Sequence, residues 1–221
     1  PAWLSSIVFF HGYDHSAIDQ ARGILYHRPF NQDGVHRYDI ASQIWTQLPT
    51  PNFENTTANC CDALEFFPEL DGLVWVRGAV GEVWLFKVST QQWSRLGTWP
   101  TQDSGTWTFA EYNPVHKLLL FGSGNENTLF RLSSSGQITQ LRNPPISIYD
   151  GSGYVGAFTV DPVSGTYLLL TPTSRQLYTY DVNTDTWQLW SSPTQPDMRS
   201  TGVVATPVSS AIKVTSSSAD S

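Results

Sequence analysis

The chain is 221 residues long, 40% hydrophobic and 13% aromatic, with only 14% charged side chains and a formal net charge of −7. That aromatic content supplies a core without disulfide or metal support, which excludes disorder and small stapled scaffolds, and the length fits one large domain or two small ones. The acidic balance, with lysine only at Lys87, Lys117 and Lys213, argues against nucleic-acid binding, and no apolar run approaches the ~20 residues of a membrane helix, so no membrane insertion is expected.

Trp3 opens the chain as the marked position of a preceding unit, 42 residues before Trp45. Residues 16–26 then form an apolar segment, a turn and a second apolar segment, and residues 35–48 carry Tyr38, Asp39, Trp45 and Leu48. The same two elements return at 63–75 and 83–96, with Phe86, Trp93 and Leu96 in the matching places. They return again at 109–121 and 129–141, where one residue is deleted and Ile138 replaces the tryptophan, and at 158–170 and 177–190, with Tyr180, Asp181 and Trp187. A truncated copy over 203–214 precedes a polar tail, 215–221, expected to be disordered. The marked position recurs at spacings of 48, 45 and 49 residues.

A period near 47 residues, with Asn-Pro or Asp-Pro turns and β-branched and aromatic runs of no helical period, predicts four short strands per unit. Proline and glycine inside the elements exclude a helical solenoid. The expected fold is therefore all-β: a β-propeller of four-stranded antiparallel blades, four complete and a fifth partial or shared, forming a single domain over 1–221. Trp45, Trp93 and Trp187 are expected to pack between neighbouring blades, which accounts for tryptophan in a structural role.

The pattern Gly23-Ile24-Leu25-Tyr26, then Tyr38-Asp39, then Trp45 and Leu48, resembles a kelch repeat, and the Asn-Pro turn before Leu118-Leu119-Leu120-Phe121-Gly122 resembles its bacterial style. The resemblance covers nearly the whole chain and implies a fold related to the galactose oxidase propeller, but it is unspecific for activity. The glycine pair that usually follows the second strand is reduced to Gly122 with Gly124, or to Gly78, and is absent at Thr171-Pro172. Two readings of the ends stand open: closure of five blades through a shared blade, or a segment of a six- or seven-bladed ring. The segment is favoured because both ends fall mid-blade.

In propellers of this kind the loops joining strands two and three share a face with those joining successive blades. Here these are 27–34, 77–82, 122–128 and 171–176, and 50–62, 99–107, 143–156 and 191–202. The ligand-binding candidates on them are Arg28, Asp33, Arg77, Asn125, Glu126, Asn127, Tyr149, Asp150, Tyr154, Arg175, Asp197 and Arg199. No catalytic residue, cofactor or metal is expected. His11 and His15 lie some 13 Å apart along a strand, and no cysteine or acidic triplet stands at ligand spacing. Cys60 and Cys61 are adjacent, which disfavours an ordinary disulfide between them and leaves redox compartment unread. Thr101 to Trp107 is one residue short of a sialidase Asp-box, and Glu65 with Glu69 reads as solvent-facing turn chemistry.

The sequence thus favours a non-catalytic recognition module binding a protein or glycan partner, monomeric or part of a longer chain. The alternatives are a propeller enzyme acting on carbohydrates or alcohols with part of its site elsewhere, and a structural spacer in a surface protein. Low lysine and abundant Ser, Thr, Asn and Gln lean towards a secreted or cell-surface location.

Overall fold

The computed structural model describes residues 14–30, 32–53, 61–100, 107–149, 156–171 and 174–190. All belong to the compact unit Pro1–Ser191; a second unit, Ser192–Ser221, lies outside the described residues, as do Trp3 and the truncated fifth copy.

Hairpin follows hairpin. The first blade is β1 (Ser16–Asp19), β2 (Ile24–His27), β3 (His36–Asp39) and β4 (Ile44–Gln47); the second is β5 (Ala63–Phe67), β6 (Gly72–Arg77), β7 (Glu82–Lys87) and β8 (Gln92–Thr98). The third is β9 (Thr108–Asn113), β10 (Leu118–Ser123), β11 (Phe130–Leu132) and β12 (Ile138–Gln140); the fourth is β13 (Ala157–Val160), β14 (Tyr167–Leu170), β15 (Leu177–Asp181) and β16 (Thr186–Trp190). Each is a four-stranded antiparallel sheet paired in sequence order, and the first strands β1, β5, β9 and β13 run past one another in succession. These are the blades of a β-propeller.

The turns follow from their residues. Asn113 Oδ1 accepts from the N–H groups of Val115 and His116, both at 3.0 Å, and the Asp161 carboxylate accepts from Val163 and Ser164 at 3.1 and 3.2 Å. Such side chains mimic a backbone turn and hold the chain for reversal. The hairpins at one end of the blades each close on a left-handed residue: Gly23, Asp71, Lys117 and Gly165 between first and second strands, Gln43, Gln91, Gly136 and Asp185 between third and fourth. Gly122 is required for a different reason, since a Cβ there would collide with the Thr128 carbonyl.

Burial runs from centre to rim. Every residue of β6 is buried, whereas β4 and β8 are mostly exposed. The apolar clusters lie between blades rather than within them. One joins Tyr26 and Leu48 to Leu64, Phe66, Trp75 and Phe86; the next joins Phe67, Val76 and Trp99 to Leu119, Phe121 and Phe130; a third joins Leu120 and Leu129 to Tyr167 and Tyr180. The repeated aromatic pair is a cross-strand contact in three blades: Tyr38 on Trp45 at 4.9 Å, Phe86 on Trp93 at 5.3 Å and Tyr180 on Trp187 at 4.6 Å. Trp93 Nε1 donates to the Pro49 carbonyl at 2.7 Å and Trp187 Nε1 to the Arg142 carbonyl at 3.0 Å, each reaching the segment that leaves the preceding blade.

One alignment differs. Leu48 and Leu141 bond back to Val35 and Leu129, which match Val83 of the second unit. Leu96 is skipped in the register where Val83 faces Gly97 and Trp84 faces Arg95. A β-bulge therefore sets Gly97 in the place that the sequence repeat assigns to Leu96, and the pairing runs on to Trp99, whose N–H bonds the Gly81 carbonyl.

Because Trp93 bridges blades, Trp93→Ala should cost roughly 2–4 kcal/mol in denaturant unfolding. Trp93→Phe should recover all but about 1 kcal/mol, the share of the bond to Pro49. An alanine variant as stable as wild type would remove the indole from the inter-blade contact.

Candidate functional site

At the loop end of the first two blades the chain buries charge. Arg28 directly follows β2 and Arg77 ends β6, and both are fully buried. Arg28 Nη2 donates to His15 Nε2 at 2.8 Å, Nη1 to the Gln32 carbonyl at 3.1 Å, and the guanidinium lies 5.2 Å over the Trp75 ring. Arg77 Nη1 donates to Glu82 Oε2 at 2.9 Å, and its guanidinium sits 3.8 Å over Phe53. Phe53 in turn meets Trp75 and Trp84 edge-on, each at 5.0 Å.

Asp62 completes this network, accepting from Trp75 Nε1 and from the Gly78 N–H, both at 3.0 Å. Burial pushes its carboxyl up, against the pull of Arg28, the Trp75 bond and Arg77. Burial also pushes the Glu82 carboxyl up, but bonds from Trp84 and Arg77 and the nearby Arg95 outweigh it and hold it below its ordinary value. Half-buried Asp33 contributes its charge to Arg28. The structure thus brings Arg28, Asp33 and Arg77 together, with the two arginines inside the blade junction, where stacked and ion-paired guanidinium groups fix the loop bases.

The other candidates sit on the third and fourth blades. Asn125, Glu126 and Asn127 form the β10–β11 turn; Asn127 is left-handed at φ 53°, its Nδ2 donates to the Pro144 carbonyl at 2.5 Å, and the Glu126 N–H reaches Ser123 Oγ at 3.3 Å. Tyr149 stacks on Trp107 with centroids 4.8 Å apart and planes 21° apart, and its N–H bonds the Gly124 carbonyl at 3.3 Å. This brings Tyr149 to the turn bearing the two asparagines, and adds Trp107, which sequence reasoning missed. Arg175 is exposed on the β14–β15 loop. Asp150, Tyr154, Asp197 and Arg199 lie outside the described residues.

Cys61 is disulfide-bonded, and the chain's only other cysteine is Cys60. Cys60, the other half of the adjacent pair, lies outside the described residues.

A second cluster occupies the opposite, turn end of the inner strands. Glu65 and Glu111 hold the same place in β5 and β9, three residues before Pro68 and Pro114, and Thr159 of β13 follows in the series. Glu65 is half-buried, and its neighbours of charge are Asp14 and Glu111. Asp14 Oδ2 accepts from the Ala110 N–H at 2.8 Å, and Glu111 Oε1 accepts from Thr159 Oγ1 at 3.0 Å and the Val160 N–H at 3.2 Å. Burial pushes the Asp14 carboxyl up to about 7, with Glu111 adding to the rise, and burial raises Glu65 and Glu111 as well. Glu65 and Glu111 open into a cavity of about 920 Å³ walled by Ile18, Phe66, Tyr112 and Val160. The sequence signal was present, a glutamate three residues before the turn proline in two successive units, but Glu65 was grouped with Glu69 instead.

No family model and no curated protein sequence matches the chain. Solved structures do. Virginiamycin B lyase from Staphylococcus aureus, crystallised with quinupristin, superposes with a TM-score of 0.60 at 13% identity over 85% of this chain and 59% of its own. The nidogen/laminin complex gives 0.57 at 11% over 80% and 64%, and an auxiliary nutrient binding protein from Bacteroides thetaiotaomicron gives 0.55 at 15% over 81% and 42%. Similarity at this identity extends to the propeller fold alone, and the chain spans less than two thirds of each of these proteins.

Two outcomes test the site chemistry. Arg77→Ala should destabilise by about 3 kcal/mol or more in denaturant unfolding, because it strands the buried Glu82 carboxylate. Folded Asp14 keeps a proton that the unfolded chain has released, so stability is full below the unfolded pKa of 3.8 and falls as pH rises to about 7. Asp14→Asn should match wild type near pH 4 and exceed it by up to about 4 kcal/mol near pH 8 in unfolding titrations; equal curves at both pH values would refute the assignment.

Proposed function

We propose that this chain is a non-catalytic recognition module, a kelch-like propeller whose loop face binds a protein or glycan partner. The observation that carries the reading is the Trp107–Tyr149 stack beside the Asn125, Glu126 and Asn127 turn. An aromatic platform next to side-chain amides suits a sugar ring or an extended protein segment, the first through its apolar face and the second through its amide groups. The arginine network beneath the neighbouring loops supports the reading by leaving that face a rigid base.

Among the described residues, no group of three His, Cys, Asp or Glu side chains stands where it would hold a metal ion. A galactose-oxidase-like site would need a cysteine joined to tyrosine, and Cys61 is already in a disulfide. That disulfide also supports an oxidising, extracytoplasmic location. The solved structures that this chain resembles are consistent with binding as a use of this fold, one being a chain of a nidogen/laminin complex and another an auxiliary nutrient binding protein.

A glycan array and a panel of purified matrix proteins test the reading. Tyr149→Ala should weaken whichever partner the wild type binds by about tenfold or more, with Tyr149→Phe retaining binding. Stoichiometric copper in the purified protein, or binding indifferent to Tyr149→Ala, would overturn it.

A further inference from the structure

The cavity at the turn end is separate from the loop face, and its charge is one-sided. Its wall and rim carry Asp19, Arg22, Glu65, Asp71 and Glu111. Arg22 is engaged, donating to Asp19 Oδ2 at 2.7 Å and to Asp71 Oδ1 at 2.5 Å. Thr159 and Val160 give Glu111 neutral donors only. Glu65 receives a bond from the Phe66 N–H, and the charges that act on it are the carboxyl groups of Asp14 and Glu111. Among the described residues, then, a half-buried carboxyl group faces a cavity of about 920 Å³ with two like groups acting on it and no cation.

Buried carboxylates are ordinarily paired, because desolvation without a counter-charge is costly. A group left so either keeps its proton or meets a cation from outside. The opposite wall selects the cation. Ile18, Phe66, Tyr112 and Val160 are apolar or aromatic, and Pro68, Pro114 and Pro162 supply an uncharged rim. A bare metal ion fits poorly, since Asp14, Glu65 and Glu111 interact through their charges but do not form a set that could ligate one ion, and no such group of three stands among the described residues. The volume suits a small organic molecule.

We infer that this cavity binds a small organic ammonium, its charged head between Glu65 and Glu111 and its apolar body on Ile18, Phe66, Tyr112 and Val160. Binding then draws protons off the carboxyl cluster, because the ammonium favours their charged forms. The titratable groups facing this centre are Asp14, Glu111, Asp19, Arg22 and Asp71, with Glu69 bonded to the Tyr112 hydroxyl at its edge.

Isothermal titration of the folded chain with n-hexylamine is the test, with n-hexanol and hexanoate as controls of equal apolar length. Hexylamine should bind saturably near neutral pH and neither control should. Affinity should rise from about pH 5.5 to about pH 7.5, with net proton release measured from the heat in buffers of different ionisation enthalpy. Glu65→Gln and Glu111→Gln should each weaken binding about tenfold or more while the melting temperature holds or rises, since each removes a half-buried charge without changing shape. Tyr149→Ala should leave amine binding untouched, which separates this site from the loop face. Equal binding of hexanol, no saturation by about 10 mM amine, or a Glu65→Gln variant that binds like wild type would each overturn the inference.

Discussion

Each described blade is held by what lies between it and its neighbour. The sheets are only four strands wide, and a sheet of that size has little interior of its own. Its apolar side chains must be covered from outside, and the clusters built on Trp75, Phe121 and Tyr167 do this by drawing residues from two blades at once. Cross-strand pairs such as Phe86 with Trp93 then align one sheet, while the indole N–H fixes that sheet to the exit of the one before it. Stability in such a stack is close to a sum of unit and interface terms, so a defect at one junction is felt locally.

That arrangement makes the ends of the inner strands the places where charge is brought inside. At the loop end charge is balanced: Arg28 and Arg77 interleave with Asp62 and Glu82, and aromatic rings cover both guanidinium groups. At the turn end it is not, since Asp14, Glu65 and Glu111 gather three carboxyl groups with neutral donors. The first arrangement is compatible with a fixed scaffold. The second lowers stability as pH rises and is relieved by protons or by a cation, the behaviour expected of a ligand site that opposes folding.

Much of the fold was legible because its signal is local. The Tyr38, Phe86 and Tyr180 positions and their tryptophans lie within one hairpin, so a fixed spacing in sequence becomes a direct pair in space. Even the deletion in the third unit has its counterpart, a turn one residue shorter between Leu132 and Ile138. The bulge at Leu96 was not legible, because only the partner strand reveals which residue is skipped. The site was harder for the same reason. Arg28 and Arg77 read as loop residues and proved buried, and Glu65 meets Glu111 and Asp14 across strands from different units.

Repetition also explains how one architecture carries two unlike ends. In the register that sets Leu25 opposite Tyr38, Leu73 opposite Phe86, Leu119 opposite Leu132 and Tyr167 opposite Tyr180, the place of Arg28 is taken by Val76, Gly122 and Leu170, and the place of Arg77 by Pro29, Ser123 and Thr171. The backbone is common to these places and the side chain differs. In the first two blades a buried cation stands at one of them and is met by Asp62 and Glu82. In the third, the Tyr149 backbone reaches the Gly124 carbonyl just past the second strand, and Tyr149 lies on Trp107. Chemistry is thus introduced one blade at a time at the loop ends of the strands, and with Arg28 and Arg77 it enters the inter-blade junction itself.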